Sequence, residues 1–244
     1  MLFGLSGIMG AACVFNNIID RDIDKKMDRT KNRALVLKTI SIKSALIYAI
    51  SLSIIGSAIL YFFTNLLTLS IALLGLFFYV VVYGIAKRRT VHGTLIGCIS
   101  GAVPPVVGYT AVTNQLDIAA LLLFLILIFW QMPHFYAIAL YRLKDYKNAK
   151  IPVMPLIRGL QSAKYQILFY IGILLIVSSL LTLFHYTGYV YLSVMAIVCL
   201  VWFGKGIRGL RVEKDLLWAK SMFRFSLVVI CVFSVMVSLG STLP

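Results

Sequence analysis

Acidic side chains are scarce in this 244-residue chain, with 8 Asp and Glu against 23 Lys and Arg. Charged residues of both signs make up only 13% of it, whereas 61% is hydrophobic. A soluble domain carries about a quarter charged residues, so this composition excludes one and points to a polytopic membrane protein. Cysteine is also sparse. Cys13, Cys98, Cys199 and Cys231 each lie in an apolar stretch and form no CxxC or Cys/His metal spacing, so they read as small packing residues. The apolar runs are long and lack the polar–apolar alternation of a transmembrane barrel, which excludes that class as well.

What remains is a series of apolar stretches near the ~20 residues a membrane-crossing helix needs. Eight spans are expected, at about 1–19, 42–62, 66–86, 91–112, 118–140, 162–182, 187–204 and 221–241. The fold class is thus all-α, a transmembrane helical bundle forming one domain over 1–244. Met1 leads into a span with no basic n-region and no small-residue cleavage site, unlike a signal peptide. The net charge of +15 could suggest nucleic acid, but its placement argues for topology instead. All Lys and Arg fall in 21–43, 87–89, 142–164 and 205–224, and the intervening connections have none. Alternate basic loops follow the positive-inside rule and place those four segments in the cytoplasm. The basic excess also offers sites for anionic lipid or substrate.

Half of the acids sit together, at Asp20, Asp22, Asp24 and Asp28, where the first span ends. If the helix continued, Asp20, Asp24 and Asp28 would share one stripe, with Asn16 a turn earlier. Like charges at that spacing repel, and the C-terminal end of a helix dipole disfavours anions. Mg²⁺, which takes one or two carboxylates together with substrate phosphates, would relieve both costs. A solvated loop of mixed charge is the plainer alternative. The Asn16–Asn17 pair at membrane depth favours the functional one, because polar groups there are costly.

A second constellation begins with Trp130, Gln131, Pro133, His134 and Phe135 and continues into the loop at 141–161. His134 could be a metal or heme-iron ligand, a proton donor, or a hydrogen-bonded interface residue. Asp145 could form a surface salt bridge or anchor a second Mg²⁺. Arg29, Lys31, Arg33, Arg142, Lys144 and Lys147 could neutralise a pyrophosphate. Gly93, Gly97, Gly101, Gly108 and Pro104–Pro105 in the span 91–112 suit either tight packing or a cavity wall. The loop at 205–220, carrying Glu213, Asp215 and Trp218, reads as an interfacial segment. Two acid-bearing loops, a cationic mouth and a dry apolar cavity suit ionisation of an allylic diphosphate and alkylation of a second lipophilic molecule. Aromatic faces such as Trp130, Phe135 or Tyr136 could stabilise the cation.

These residues resemble a known family. Asn16, Asn17, Asp20 and Asp24 match the first aspartate-rich motif of the UbiA-type intramembrane prenyltransferases. The run from Asp20 through Met27, Arg29, Thr30, Lys31 and Arg33 resembles the heme-farnesylating branch of that family. So do Trp130–Gln131, Pro133–Phe135, Asp145–Tyr146, Ala149 and Ile151–Pro152. The resemblance implies a nine-helix fold around a central cavity, and transfer of farnesyl from farnesyl diphosphate to a vinyl group of heme b, giving heme O and pyrophosphate. It implies Mg²⁺ at Asn16, Asp20 and Asp24, with Asp145 on a second acidic loop. Phosphate would meet Arg29, Lys31 and Arg33, and His134 would lie near the porphyrin.

The resemblance also implies a bacterial inner membrane location and a lipid bilayer environment, with no nucleic acid. Heme O would pass to terminal oxidase assembly or to a heme A synthase. Three departures stand out. Asn17 replaces an Asp, Ala149 replaces a second loop Asp of the wider family, and eight spans are seen where nine are expected. The expectation is therefore an N-terminally truncated domain. Alternatives are a prenyltransferase of a quinone precursor, an inactive heme-handling membrane protein, and a transporter. The last needs charges lining a path through the bilayer, but the spans hold almost none.

Overall fold

The computed structural model describes residues 1–212 and 215–240. The described residues are helical and contain no strand. In chain order the helices are α1 (Leu2–Ile19), α2 (Arg21–Asp24), α3 (Ile42–Phe63) and α4 (Leu66–Phe77), then a π-helical turn (Phe78–Tyr83). There follow α5 (Gly84–Arg89), α6 (Gly93–Gly101), α7 (Val103–Thr113), α8 (Ile118–Tyr141) and α9 (Leu143–Asn148). The last four are α10 (Met154–Arg158), α11 (Leu160–Leu183), α12 (Tyr189–Gly209) and α13 (Asp215–Leu239). Eight continuous stretches among the described residues are long and apolar enough to cross a membrane, which makes this a multi-pass membrane protein.

Local chemistry sets the boundaries. The Ser41 hydroxyl accepts the Ser44 N–H at 3.0 Å, and the Asn65 side chain accepts the Thr68 N–H at 2.9 Å. Each satisfies an orphan donor in the first turn of its helix. Asp117 caps α8 through the Ala120 N–H at 3.1 Å and also accepts the Tyr109 hydroxyl at 2.6 Å. Asn114, at φ 51°, closes α7 in the left-handed conformation that Asn tolerates.

The chain forms two compact units. The first comprises Met1–Ala120 and Lys144–Val153. In it α1 lies directly on α3, where Gly4, Gly7 and Gly56 meet. A Cβ on Gly56 would come within 2.7 Å of the Gly4 carbonyl oxygen, so only glycine permits this approach. Leu5, Ile8, Leu60, Ala72 and Val107 make the adjoining core. The second unit comprises Leu121–Leu143 and the chain from Met154 onward. Here α12 packs between α11 and α13. Trp202, Tyr191, Ile167, Ile171, Met195 and Met222 are fully enclosed in this unit.

The structure corrects three expectations. First, α1 does not carry the acidic stripe to Asp28. It ends at Ile19, Asp20 caps it at φ −90°, ψ 6°, and the chain turns into a four-residue helix. Ending the helix spares it three stacked carboxylates at the negative end of its dipole. Second, the basic triplet at 87–89 is not a loop but the last turn of a continuous helix, where cations favour the dipole. Third, 205–220 is not a separate interfacial segment. Helix α12 runs to Gly209 and α13 starts at Asp215. Trp218 is buried and donates its indole N–H to the Lys205 carbonyl at 3.0 Å, and the Lys164 ammonium lies 5.5 Å from its ring. Lys164 also pairs with Asp215 at 2.5 Å. Glu213 lies outside the described residues.

Candidate functional site

The first unit gathers its polar groups where α1, α2 and α5 end. Asp20 and Asp24 are 8% and 4% exposed, a costly burial for carboxylates unless they are paired. Each has a cation. Lys87, from the last turn of α5, is 7% exposed, forms an ion pair with Asp20 and donates to the Asn16 carboxamide oxygen at 2.6 Å. Arg33 reaches back from the first loop to donate to Asp24 at 2.7 Å and to the Asn17 carboxamide oxygen at 2.8 Å. The four motif residues Asn16, Asn17, Asp20 and Asp24 thus share two cations. Thr30 anchors the loop by donating its hydroxyl to the Asp24 carbonyl at 3.1 Å.

The loop holding Asp145 joins this cluster. Ile23 and Met27 pack against Ala149, with Tyr146 and Ile151 beside them. The Asp28 N–H donates to Asp145 Oδ1 at 3.4 Å, and Asp145 is 5% exposed. Asp28 itself points outward and pairs with Lys31 at 2.8 Å. The hydrogen bond and charge of Lys31, with a smaller contribution from Lys144, hold the Asp28 carboxyl below the usual range. The same contact raises the Lys31 ammonium above its usual range. Arg29 and Lys144 are exposed, whereas Arg33, half-buried, donates directly to the buried Asp24 carboxylate.

Three residues of the cluster were missed by sequence reasoning: Lys87, Tyr83 and Tyr79. Tyr79 and Tyr83 stack with ring centroids 5.5 Å apart, and the Lys87 ammonium lies 4.9 Å from the Tyr83 centroid. Their four-residue spacing was visible. In the sequence Lys87 reads only as a topology signal, and no pattern foretells the π-helical turn that carries both tyrosines. Such turns widen a helix and recur at functional sites. Gly97 makes room for Tyr83, since a Cβ there would lie 2.9 Å from the ring.

Below this ladder is an apolar pocket of about 200 Å³ within the same unit, lined by Ile8, Cys13, Ala72, Tyr79, Val103 and Pro104 among others. Cys13 and Tyr79 on its wall lie one helical turn from Asn17 and Tyr83. The span over 93–113 therefore serves both of its expected purposes. Gly97 packs against a ring, while Gly101 and Pro104, beside the break at Ala102, line the cavity.

The second unit holds the other constellation. His134 is 9% exposed on α8, next to the in-helix Pro133. Its Nδ1 lies 2.7 Å from the Ser226 hydroxyl of α13. Its ring stacks on Trp130 at 4.9 Å and meets Phe223 at 5.0 Å. Trp130 donates its indole N–H to the Ser226 carbonyl at 2.8 Å. Gln131 is buried and donates to the Leu127 carbonyl at 3.0 Å. Arg142 is exposed and its guanidinium lies 5.5 Å from the Tyr141 ring.

Among the described residues no three Asp, Glu, His or Cys side chains converge into a ready metal cage. The donor set still suits a hard divalent cation, with two buried carboxylates and two carboxamide oxygens held at one helix end. A cationic, carboxylate-bearing cluster with an apolar pocket nearby, in an all-helical membrane protein, suits an intramembrane prenyltransferase. The UbiA prenyltransferase family model matches residues 1–228, and the chain belongs to that family.

Relatives named protoheme IX farnesyltransferase include one from Protochlamydia amoebophila, 54% identical over 96% of this chain and 82% of its own length. Another, from Serratia proteamaculans, is 50% identical over 98% of this chain and 81% of its own length. Two solved structures share the fold at 19% and 18% identity. A digeranylgeranylglyceryl phosphate synthase structure has a TM-score of 0.80 over 98% of this chain and 83% of its own. A UbiA homolog from Archaeoglobus fulgidus, bound to GPP and Mg²⁺, has a TM-score of 0.62 over 97% of this chain and 86% of its own.

Proposed function

We propose that this chain transfers the farnesyl group of farnesyl diphosphate to a vinyl group of heme b, giving heme O and pyrophosphate. The observation that carries the reading is the cluster of buried Asp20 and Asp24, paired with Lys87 and Arg33, about two helical turns along α1 from the wall of an apolar pocket. Its chemistry suits a diphosphate with a hydrocarbon tail. The names of relatives about half identical to this chain supply the second substrate. Residues 1–244 act as one prenyltransferase domain.

Asn16, Asp20 and Asp24 would hold Mg²⁺ with the diphosphate, with Asp145 contributing from the second loop; the ion would help neutralise the departing pyrophosphate. Lys87 and Arg33 exchange their carboxylate bonds for phosphate oxygens. Arg29, Lys31 and Lys144 extend the positive field that draws the substrate in. The farnesyl C–O bond breaks, and the electron pair leaves with pyrophosphate. Tyr79 and Tyr83 present ring faces to the allylic cation. A C–C bond then forms to the vinyl carbon. Water adds to the resulting benzylic-type cation and loses a proton, giving the hydroxyethylfarnesyl group. His134 and Trp130, a stacked aromatic pair, serve the porphyrin. The chain lies in a bacterial inner membrane with its basic loops in the cytoplasm. It passes heme O to terminal oxidase assembly or to a heme A synthase.

The test is a membrane assay with heme b, farnesyl diphosphate and Mg²⁺, following the heme product by mass. Product that vanishes in Asp20→Asn and Asp24→Asn, and on chelation of Mg²⁺, is the expected result. Turnover unaffected by both variants would refute the site.

A further inference from the structure

The buried carboxylates face inward, but the same stretch of chain presents a second set of polar groups outward. Two grooves flank Asp22 and share it and Ile19 as walls. The first, of about 340 Å³, is lined by Arg21, Lys25 and Lys38 along with Ile18, Ile19 and Val36. The second runs along Val80, Val81 and Ile85 to Arg88 and Arg89. A volume above ~300 Å³ is in the range of small-ligand pockets.

The charge here is unbalanced. Asp22 is the one acid lining either groove, and both of its oxygens are taken by Arg88, at 2.8 and 2.7 Å. That fork, chiefly its hydrogen bonds, holds the Asp22 carboxyl down at about 2, so it stays ionised and committed. Arg88 also donates to the Ile19 carbonyl at 2.7 Å and sits 3.4 Å from Asp20, which fixes it in place. Arg21, Lys25, Lys38 and Arg89 have no carboxylate partner among the described residues. Lys38 holds φ 60°, an uncommon conformation for lysine, at the groove's edge. The apolar walls come from the ends of membrane-crossing helices, and Ile19, Val81 and Ile85 are exposed there.

An anion in this place gains from several cations, and an attached hydrocarbon gains from the isoleucine and valine wall. A free phosphate uses only the first, and a neutral lipid only the second. We infer that the Asp22–Arg88 ridge is flanked by a binding site for an anionic phospholipid, its phosphate among Arg21, Lys25 and Lys38 and its acyl chain along Ile19, Val81 and Ile85. This site lies outside the diphosphate mouth and does not depend on which acceptor is prenylated.

The test is native mass spectrometry of the detergent-solubilised chain titrated with phosphatidylglycerol, with phosphatidylcholine and inorganic phosphate in parallel. Each juxtamembrane cation is worth roughly fivefold in affinity for an anionic surface. The triple variant Arg21→Gln/Lys25→Gln/Lys38→Asn should therefore bind phosphatidylglycerol more than tenfold more weakly. A control of equal charge loss, Arg208→Gln/Arg211→Gln/Lys220→Gln, should change it less than twofold. Lys25→Gln alone, an exposed swap that leaves the loop folded, should cost roughly fivefold. Equal loss in both triple variants would reduce the effect to net charge and overturn the proposal. So would equal binding of phosphatidylcholine. Competition by inorganic phosphate at lipid-like concentrations would overturn it in favour of a free-phosphate site.

Discussion

Replacing Lys87 by Met should move the affinities for Mg²⁺ and for diphosphate in opposite directions. In the protein Lys87 already neutralises Asp20 and holds Asn16, so a metal ion binding alone must compete with a buried ammonium. Two unit charges ~4 Å apart interact by about 4 kcal/mol at an effective dielectric of 20. Even a third of that, about 1.4 kcal/mol, is tenfold in affinity. Lys87→Met should therefore bind Mg²⁺ alone at least tenfold more tightly than the parent chain. The diphosphate of the substrate loses the same cation, so in the presence of Mg²⁺ it should bind at least tenfold more weakly. Asp20 is not left without a partner, because Arg88 remains 3.4 Å away, and the fold should survive the change. Mn²⁺ titration followed by electron paramagnetic resonance gives the first affinity, and competition with a non-reactive farnesyl thiodiphosphate gives the second. If both affinities fall together, Lys87 is a structural pin and the exchange of carboxylate for phosphate is wrong.

Arg33→Gln removes the donor shared by Asp24 and Asn17 and should cost about 1.5–3 kcal/mol, read as a lower melting temperature, and should weaken diphosphate binding. Gly56→Val drives a side chain into the backbone of α1, so it should abolish stable folding, seen as aggregation on size-exclusion chromatography. An unchanged elution profile would refute the close α1–α3 contact. Ser226→Ala leaves His134 Nδ1 without its hydroxyl partner and should cost about 1 kcal/mol in thermal stability. The depressed Asp22 carboxyl stabilises the folded state above its unfolded value of 3.8, and that contribution is lost as pH falls through about 2. Asp22 is largely exposed, so the term stays under about 1 kcal/mol. Asp22→Asn should melt slightly below the parent at pH 6, and the gap should close towards pH 2.

The span count was legible because a membrane-crossing helix needs a long apolar run, and such runs survive in the sequence without any partner. All eight stretches were expected, and their limits shifted mainly at the basic ends. There, Lys87–Arg89 and the 205–220 stretch looked like loops because charge marks the bilayer surface, not the end of a helix. The carboxylate block was legible for a related reason: acids concentrated at a span's end are too costly to be incidental.

The partner of each acid could not be read. Lys87 is 67 residues from Asp20, and Arg33 reaches Asp24 only because α1 breaks at Asp20 and the loop folds back. The π-helical turn that stacks Tyr79 on Tyr83 also depends on Gly97 in another helix. Sequence by itself determined the membrane class, the span order and the identity of the acids, because hydropathy and charge are properties of single residues. Tertiary structure decided which cations neutralise those acids and where the apolar pocket lies, because desolvated ion pairs and cavities exist only once distant helices are packed together.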